Sequence, residues 1–472
     1  MPFSSLLFLH LFLPAFLVAY WLTPGGARNY TAIVASLAFY AWGAPRFLPV
    51  VVALGVIDFA VSHRIARHRG TVHGKWLLGI GVTLHLSVLA YFKYSNFFVA
   101  QIGELLDHVG YEPLPWTKVV LPIGVSFITF EEISYLTDVY RGDARPARRL
   151  SHYLLFLTLF PHSIAGPIFR WKDLEAQLAE RAHSWALAQE GFERFSLGLA
   201  KKLLVADSVA VIADGVFAMS RDQLTPALAW LGAGAYAIQI YFDFSGYSDM
   251  AIGLGKLMGF RFKENFDRPY ISASITEFWT RWHISLSSWL RDYLYISIGG
   301  NRRGRTRTLV HVMIVFTLSG LWHGAAWTFV IWGVFHGAFV TIERLVGARR
   351  DRVPLVVQHA TTLAIVIVGW VFFRAGSLGQ ALDVIAAMFG ASGGGAAPAR
   401  GELAPNFAVF ALAVGAAIVL VPLAGKYRGS AAPTAVRALT LIGARLGYVA
   451  LFVLSSIHLT NMRITPLIYF KF

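Results

Sequence analysis

The chain has 472 residues, of which 56% are hydrophobic and only 14% charged, with 14 tryptophans and 36 phenylalanines. That is too little polar surface to cover a soluble globule of this length, so the composition is that of an integral membrane protein. The formal charge of +15 is spread over short loops rather than gathered into a patch, which sets nucleic-acid binding aside, and the lack of cysteine removes disulfides, thiolate metal sites and a cysteine acyl-enzyme.

The opening "MPFSSLLFLHLFLPAFLVAYWL" has no basic start and runs into further apolar sequence, so it reads as a first span and not as a cleaved signal. Apolar segments fall at about 3 to 22, 29 to 43, 46 to 62, 76 to 94 and 118 to 139, each near the length of a span or tilted half-span. The loops at 64 to 75 and 141 to 149 are strongly basic and are expected on the cytoplasmic side, whereas the loop with Glu104, Asp107 and Glu112 is acidic. Counting back from Arg64 puts the N-terminus on the periplasmic side. Between 150 and 300 the pattern is ambiguous. Lys201 and Lys202 interrupt an apolar run there, and re-entrant or broken helices are expected. The basic "NRRGRTR" (301 to 307) and "GARRDR" (347 to 352) bracket forty residues that must enter and return as two helices. Further apolar segments lie near 355 to 373, 405 to 423 and 438 to 460, with a flexible Gly/Ala-rich loop at 390 to 401.

Within "ITEFWTRWHISLSSWLRDYLYISIGGNRRGR", Trp279, Trp282, Leu286, Trp289, Leu290 and Tyr293 recur every three or four residues, opposite Arg281, Ser285, Ser288 and Asp292. The spacing predicts an amphipathic helix on the membrane surface with aromatic anchors, His283 pointing to its apolar side. Spacing alone leaves His283 either an interfacial residue bonded to a carbonyl or a functional imidazole. Upstream, Asp243 and Asp249 lie inside a span-like run whose glycines permit either a broken helix or close packing, with Gly255 and Gly259 at small-xxx-small spacing.

"LSGLWHGAAWTFVIWGVFHG" carries His323 and His336, thirteen positions apart. On one straight helix they would be roughly 20 Å apart and cannot share an ion unless the chain turns back, so no metal site is expected. Burial disfavours the charged form of an imidazole and keeps it able to accept a proton from a hydroxyl. Trp322, Trp327 and Trp332 read as packing and interfacial residues. Counted from the basic loop at 301 to 307, His323 lies roughly 20 Å along a helix, near or past mid-membrane.

"VSFITFEEISYLTDVYRG", "AGPIFRW", "GLAKKLLVAD", the long block from "YFDFSGYSDM" to "YISIGGNR", "LSGLWHGAAWTFVIWGVFHG" and the final "PLIYFKF" closely resemble the membrane-bound O-acyltransferase (MBOAT) family, in particular its bacterial branch with the alginate O-acetyltransferase membrane subunit. The resemblance implies an all-α polytopic protein of about 11–13 membrane segments around a central tunnel. It implies one membrane domain over residues 1–472, with N-terminal spans at 1–140, a catalytic core at 141–346 and C-terminal spans at 347–472. His323 matches the family histidine and is expected as catalytic base, and His283 as the second functional group, with Asp249, Arg281, Asp243 and His336 as supporting or substrate-binding candidates. Glu131 departs from the family pattern, which has an uncharged residue there.

The implied activity moves an acetyl or acyl group from a cytoplasmic thioester toward hydroxyls of an extracytoplasmic polysaccharide such as alginate. No cofactor is bound; acetyl coenzyme A or an acyl carrier protein would be the donor co-substrate. The implied partners are the lipid bilayer, a periplasmic SGNH-type acetyltransferase and polysaccharide-synthesis machinery, and the implied location is the inner membrane. Broken helices and mid-membrane acids would also suit a polysaccharide or lipid transporter or flippase, and a scaffold recruiting a soluble acetylase is a third reading. No internal repeat of the transporter kind is visible.

Overall fold

The computed structural model describes residues 1–112, 115–163, 165–391, 404–425 and 434–461. The loop from 392 onward and the closing "PLIYFKF" lie outside the described residues. All regular structure among the described residues is helical. Four helices are long and apolar enough to cross a membrane, at Leu48–Arg67, Val72–His108, Trp327–Arg350 and Leu355–Arg374, and shorter apolar helices cover Phe8–Leu22, Leu378–Met388, Asn406–Leu420 and Arg445–Thr460.

The helices gather into two compact units. The first comprises Leu7–Ala188 and Gly255–Phe262, with Met1; the second comprises Pro2–Leu6, Gln189–Leu254 and Lys263–Phe472. In the first unit α1 (Leu13–Leu22), α2 (Arg28–Gly43), α3 (Leu48–Arg67), α4 (Val72–His108) and α5 (Val125–Arg141) follow one another, then the short α6 (Leu150–Thr158) and α7 (Trp171–Ala179). α4 has 37 residues, so Glu104 and Asp107 lie on its last turns and not in a loop. Nothing from Tyr94 to His108 breaks a helix except Gly103, and the chain turns only at Gly110, whose φ is +82°. The segment expected from 118 begins its helix at Val125, after Pro122 and Gly124.

In the second unit the interrupted run with Lys201 and Lys202 is helical throughout, from α8 (Trp185–Ala200), which starts in the first unit, through a π-turn at Lys201–Ala206 to α9 (Asp207–Phe217). α10 (Pro226–Leu257) is one helix of 32 residues, so the broken-helix reading of the Asp243 region does not hold. The lysines are the reason. Lys202 ion-pairs with Asp243 and Asp207, and Lys201 with Asp249, so the buried carboxylates are neutralised without opening the backbone. Close packing does occur, at Gly246 and Gly253 among the glycines expected to permit it. A side chain on Gly246 would meet the Gly198 carbonyl oxygen at 2.7 Å, whereas Gly259 lies past the helix end with φ +83°.

The expected amphipathic helix is divided into α11 (Ile275–Arg281) and α12 (Ile284–Trp289), followed by a π-turn at Leu290–Tyr295. His283 stands at the break with φ +46° and ψ +55°, the left-handed region. Trp282 and Trp289 are buried in the protein, Trp282 against Trp370 (ring centroids 4.8 Å apart) and Tyr270, so these two are core residues and not membrane anchors. α13 (Arg305–His323) and α14 (Trp327–Val346) form the expected hairpin, turning at Gly324–Ala326. The Arg305 guanidinium donates to the Leu345 carbonyl at 3.4 Å, which holds the two basic ends together. α15 (Leu355–Arg374) packs on α14, and α16 (Leu378–Met388) on α15. α17 (Asn406–Gly425) packs on α9, and α18 (Thr434–Asn461) closes the described chain.

Candidate active site

Packing along the hairpin is set by two glycines. A Cβ on Gly320 would lie 2.2 Å from the Phe329 carbonyl oxygen, and one on Gly333 would lie 2.3 Å from that of Phe316, so the backbones touch where a methyl group would not fit. Gly324 is covered by the Phe329 ring. These glycines therefore admit the neighbouring helix, its backbone at Gly320 and the Phe329 ring at Gly324.

His323 is the last residue of α13 and is 5% exposed. Its ring packs edge-on against Trp322, Trp332 and Phe373, with centroids at 5.0, 5.1 and 5.3 Å. Trp322 is also 6.4 Å from the His283 ring, so one indole touches both histidines singled out from the sequence. His336, fully buried on α14, is 5.2 Å from Trp332 and 5.1 Å from Trp279. Neither of its ring nitrogens meets a hydrogen-bond partner among the described residues. The hairpin does turn back between His323 and His336, and the Trp332 indole packs edge-on against both rings.

His283 is held by a residue the sequence reading passed over. Asn265 Oδ1 accepts from the backbone N–H of Ser285 at 3.1 Å and the Ser285 hydroxyl at 2.8 Å, and lies 3.2 Å from His283 Nδ1. A backbone N–H can only donate, which fixes that Asn265 atom as oxygen. The facing His283 Nδ1 then carries the proton, and Nε2 keeps the lone pair. The Asn265 carbonyl also accepts from Ile284 N–H at 2.9 Å, pinning the left-handed turn. Burial lowers the His283 pKa from its ordinary value to about 3, so the imidazole is neutral at any physiological pH.

The other candidates are committed elsewhere. Asp249 is paired with Arg194 (2.7 Å) and Lys201 (2.6 Å), Asp243 with Lys202, and Arg281 with Glu277 (2.9 Å) and Asp267 (3.1 Å). None of these pairs includes a histidine.

In the first unit a separate polar cluster spans three helices. The imidazole of His85 on α4 bridges Asp58 on α3 through Nε2 and Glu132 on α5 through Nδ1, both at 2.8 Å, and Tyr153 donates to Asp58 at 3.0 Å. The imidazole is held between two carboxylates, and one ligand atom from each of Asp58, His85 and Glu132 lies within 4.8 Å of the other two, close enough to share a metal ion. Glu131 is buried 3.0 Å from His162 Nδ1 and accepts from Phe169 N–H. Asp58, His85 and the Glu131–Glu132 pair in three successive apolar segments are the sequence signal for this cluster.

Residues 149–377 match the membrane-bound O-acyltransferase family, MBOAT. The chain is 50% identical over 394 residues to a probable alginate O-acetylase AlgI of Azotobacter vinelandii, covering 82% of this chain and 78% of that one. This chain belongs to the MBOAT family. It is 34% identical over 427 residues to a peptidoglycan O-acetyltransferase of Helicobacter pylori (83% and 80% of the two chains). To a teichoic acid D-alanyltransferase of Bacillus subtilis it is 28% identical over 255 residues, 52% of this chain and 64% of that one. The chain is thus a membrane acyltransferase, and the MBOAT assignment displaces the transporter reading. Both candidate histidines and Asn265 fall inside the matched residues.

Proposed function

We propose that this MBOAT protein is an O-acetyltransferase that moves an acetyl group from a thioester on the cytoplasmic face toward hydroxyls of an extracytoplasmic polysaccharide, alginate being the first candidate. The observation that carries the chemistry is the placement of His323 and His283 on one indole, Trp322, with the His283 tautomer set by Asn265. In the reaction the acceptor oxygen bonds to the thioester carbonyl carbon and the carbon–sulfur bond breaks. His323 takes the hydroxyl proton and the thiolate leaves to be protonated, while His283 positions the carbonyl or the departing thiol. A base so placed contributes ~10²–10⁴-fold, and the apolar wall of Trp322, Trp332 and Phe373 excludes water that would hydrolyse the acyl group.

The donor is acetyl coenzyme A or an acyl carrier protein, both polyanions drawn to a basic face. The protein sits in the inner membrane with its N-terminus periplasmic and passes the acetyl group to a periplasmic SGNH-type transferase serving the polysaccharide machinery. The names of the relatives support this reading. The test is acetyl transfer by purified, reconstituted protein. His323→Ala should insert and remain monodisperse yet lose transfer, and retained transfer would remove His323 from the base role. A non-catalytic scaffold that recruits a soluble acetylase predicts instead that His323 and His283 can both be replaced without effect on acetylation.

A further inference from the structure

Away from the histidines, the first unit holds a cavity of about 800 Å³ between the start of α2, the basic loop before α6, and α7 with the segment after it. Its cationic lining is Arg148, Arg149, Lys172 and Arg181. Lys172 is committed to Asp138 at 3.0 Å. Arg181 is fixed by four hydrogen-bond acceptors, the Tyr20 hydroxyl (2.7 Å), Asn29 Oδ1 (2.7 Å) and the carbonyls of Met258 (2.9 Å) and Gln177 (3.3 Å). Every one is neutral, so the guanidinium is held rigid with its charge uncompensated. Neither Arg148 nor Arg149 has a carboxylate within ion-pair distance among the described residues, although Glu175 lies on the same wall.

The field in the cavity is positive. His152 and His183 both have lowered pKa values, first through burial and then through Arg149 and Arg181 beside His152 and Arg28 and Arg181 beside His183. Close to His183, Trp21 stacks on Trp185 at 5.3 Å, and Trp185 is 81% exposed. Arg28 lies over the Trp21 ring at 5.2 Å. An exposed indole pair with a cation over it is the side-chain chemistry of the boundary between hydrocarbon and water.

We propose that this cavity is a binding site for a phosphate ester at the membrane surface, its phosphate seated between Arg149 and Arg181 with Arg148 at the mouth. Guanidinium forks match phosphate oxygens, and Arg181 is already ordered, so little side-chain freedom is lost on binding. The phosphate can belong to an anionic phospholipid headgroup, which the indole pair favours, or to a soluble phosphate ester.

The two sources separate experimentally. Protein in neutral detergent is incubated with dioleoylphosphatidylglycerol or dioleoylphosphatidylcholine and the retained lipid read by native mass spectrometry, while inorganic phosphate is titrated against thermal stability. Wild type should retain phosphatidylglycerol over phosphatidylcholine, and Arg148→Gln with Arg149→Gln should cut that retention about ten-fold. Glu175→Gln, which removes the carboxylate that offsets the Arg148 charge, should raise it. If only the inorganic phosphate arm distinguishes wild type from these variants, the site takes a soluble ester. If neither probe distinguishes wild type from the double variant, or if Glu175→Gln alone leaves both probes unchanged, the proposal is overturned.

Discussion

At the scale of single residues, Asn265 decides which His283 nitrogen carries a lone pair, and its removal should therefore cost more than a hydrogen bond. Asn265→Ala should lower kcat by roughly 10²-fold, within the range for mispositioned acid–base groups, with KM for the donor moving much less. Asn265→Asp keeps the acceptor but adds a negative charge that favours the imidazolium. The activity of this variant should therefore fall on the acid side of a pH profile where wild type, with His283 neutral down to about pH 3, shows no loss from this group. Identical profiles for the two proteins would reduce Asn265 to a structural brace. The sequence could not show this contact, because an irregular segment and all of α11 separate Asn265 from His283, eighteen positions away. Asp58, His85 and Glu132 were passed over as well, although a titratable residue in each of three apolar runs is a signal the sequence carries; their convergence needed the structure.

At the scale of elements, close glycine contact holds both the hairpin and the α8 to α10 layer, and the second adds paired charges. Gly320→Ala drives a methyl group into a backbone carbonyl and should destabilise the hairpin by about 2 kcal/mol. Gly234→Ala, with nothing within 4 Å of the added carbon, should be neutral or better. Melting curves in detergent compare the two directly, and equal shifts would contradict the close-contact account. Asp243→Ala leaves Lys202, 3% exposed, with Asp207 alone and should cost about 3 kcal/mol. The hairpin was legible from the basic loops at its two ends and not from hydrophobic period. That period failed on Ile275–Trp289 because one left-handed residue resets the angular phase, and no periodicity reports a single φ. It failed on α10 because neutralising lysines come from a different helix.

At the scale of the whole molecule, charge bias assigns sides. A chain without cysteine lets every introduced thiol be read alone. Cysteines at Arg303 and Arg350 should label from one side only, the cytoplasmic side, and a cysteine between 104 and 112 only from the other. The hairpin supports the first half, since Arg305 reaches the carbonyl of Leu345. Labelling of Arg303 and Arg350 from opposite faces would require an odd number of crossings between them and would undo the assignment of His323 to the end of α13 remote from the cytoplasm.

The backbone contact along Gly320 and Gly333 also has a mechanical meaning. Two helices that touch main chain to main chain have no side-chain layer to slide on, so α13 and α14 act as one stiff lever whose tip carries His323. A lever pivots at its base. There the chain passes through Gly299, Gly300 and Gly304, all with positive φ. Motion during turnover should therefore swing the tip as a whole. Spin labels across the seam would keep their separation while a pair spanning residues 299–304 broadens.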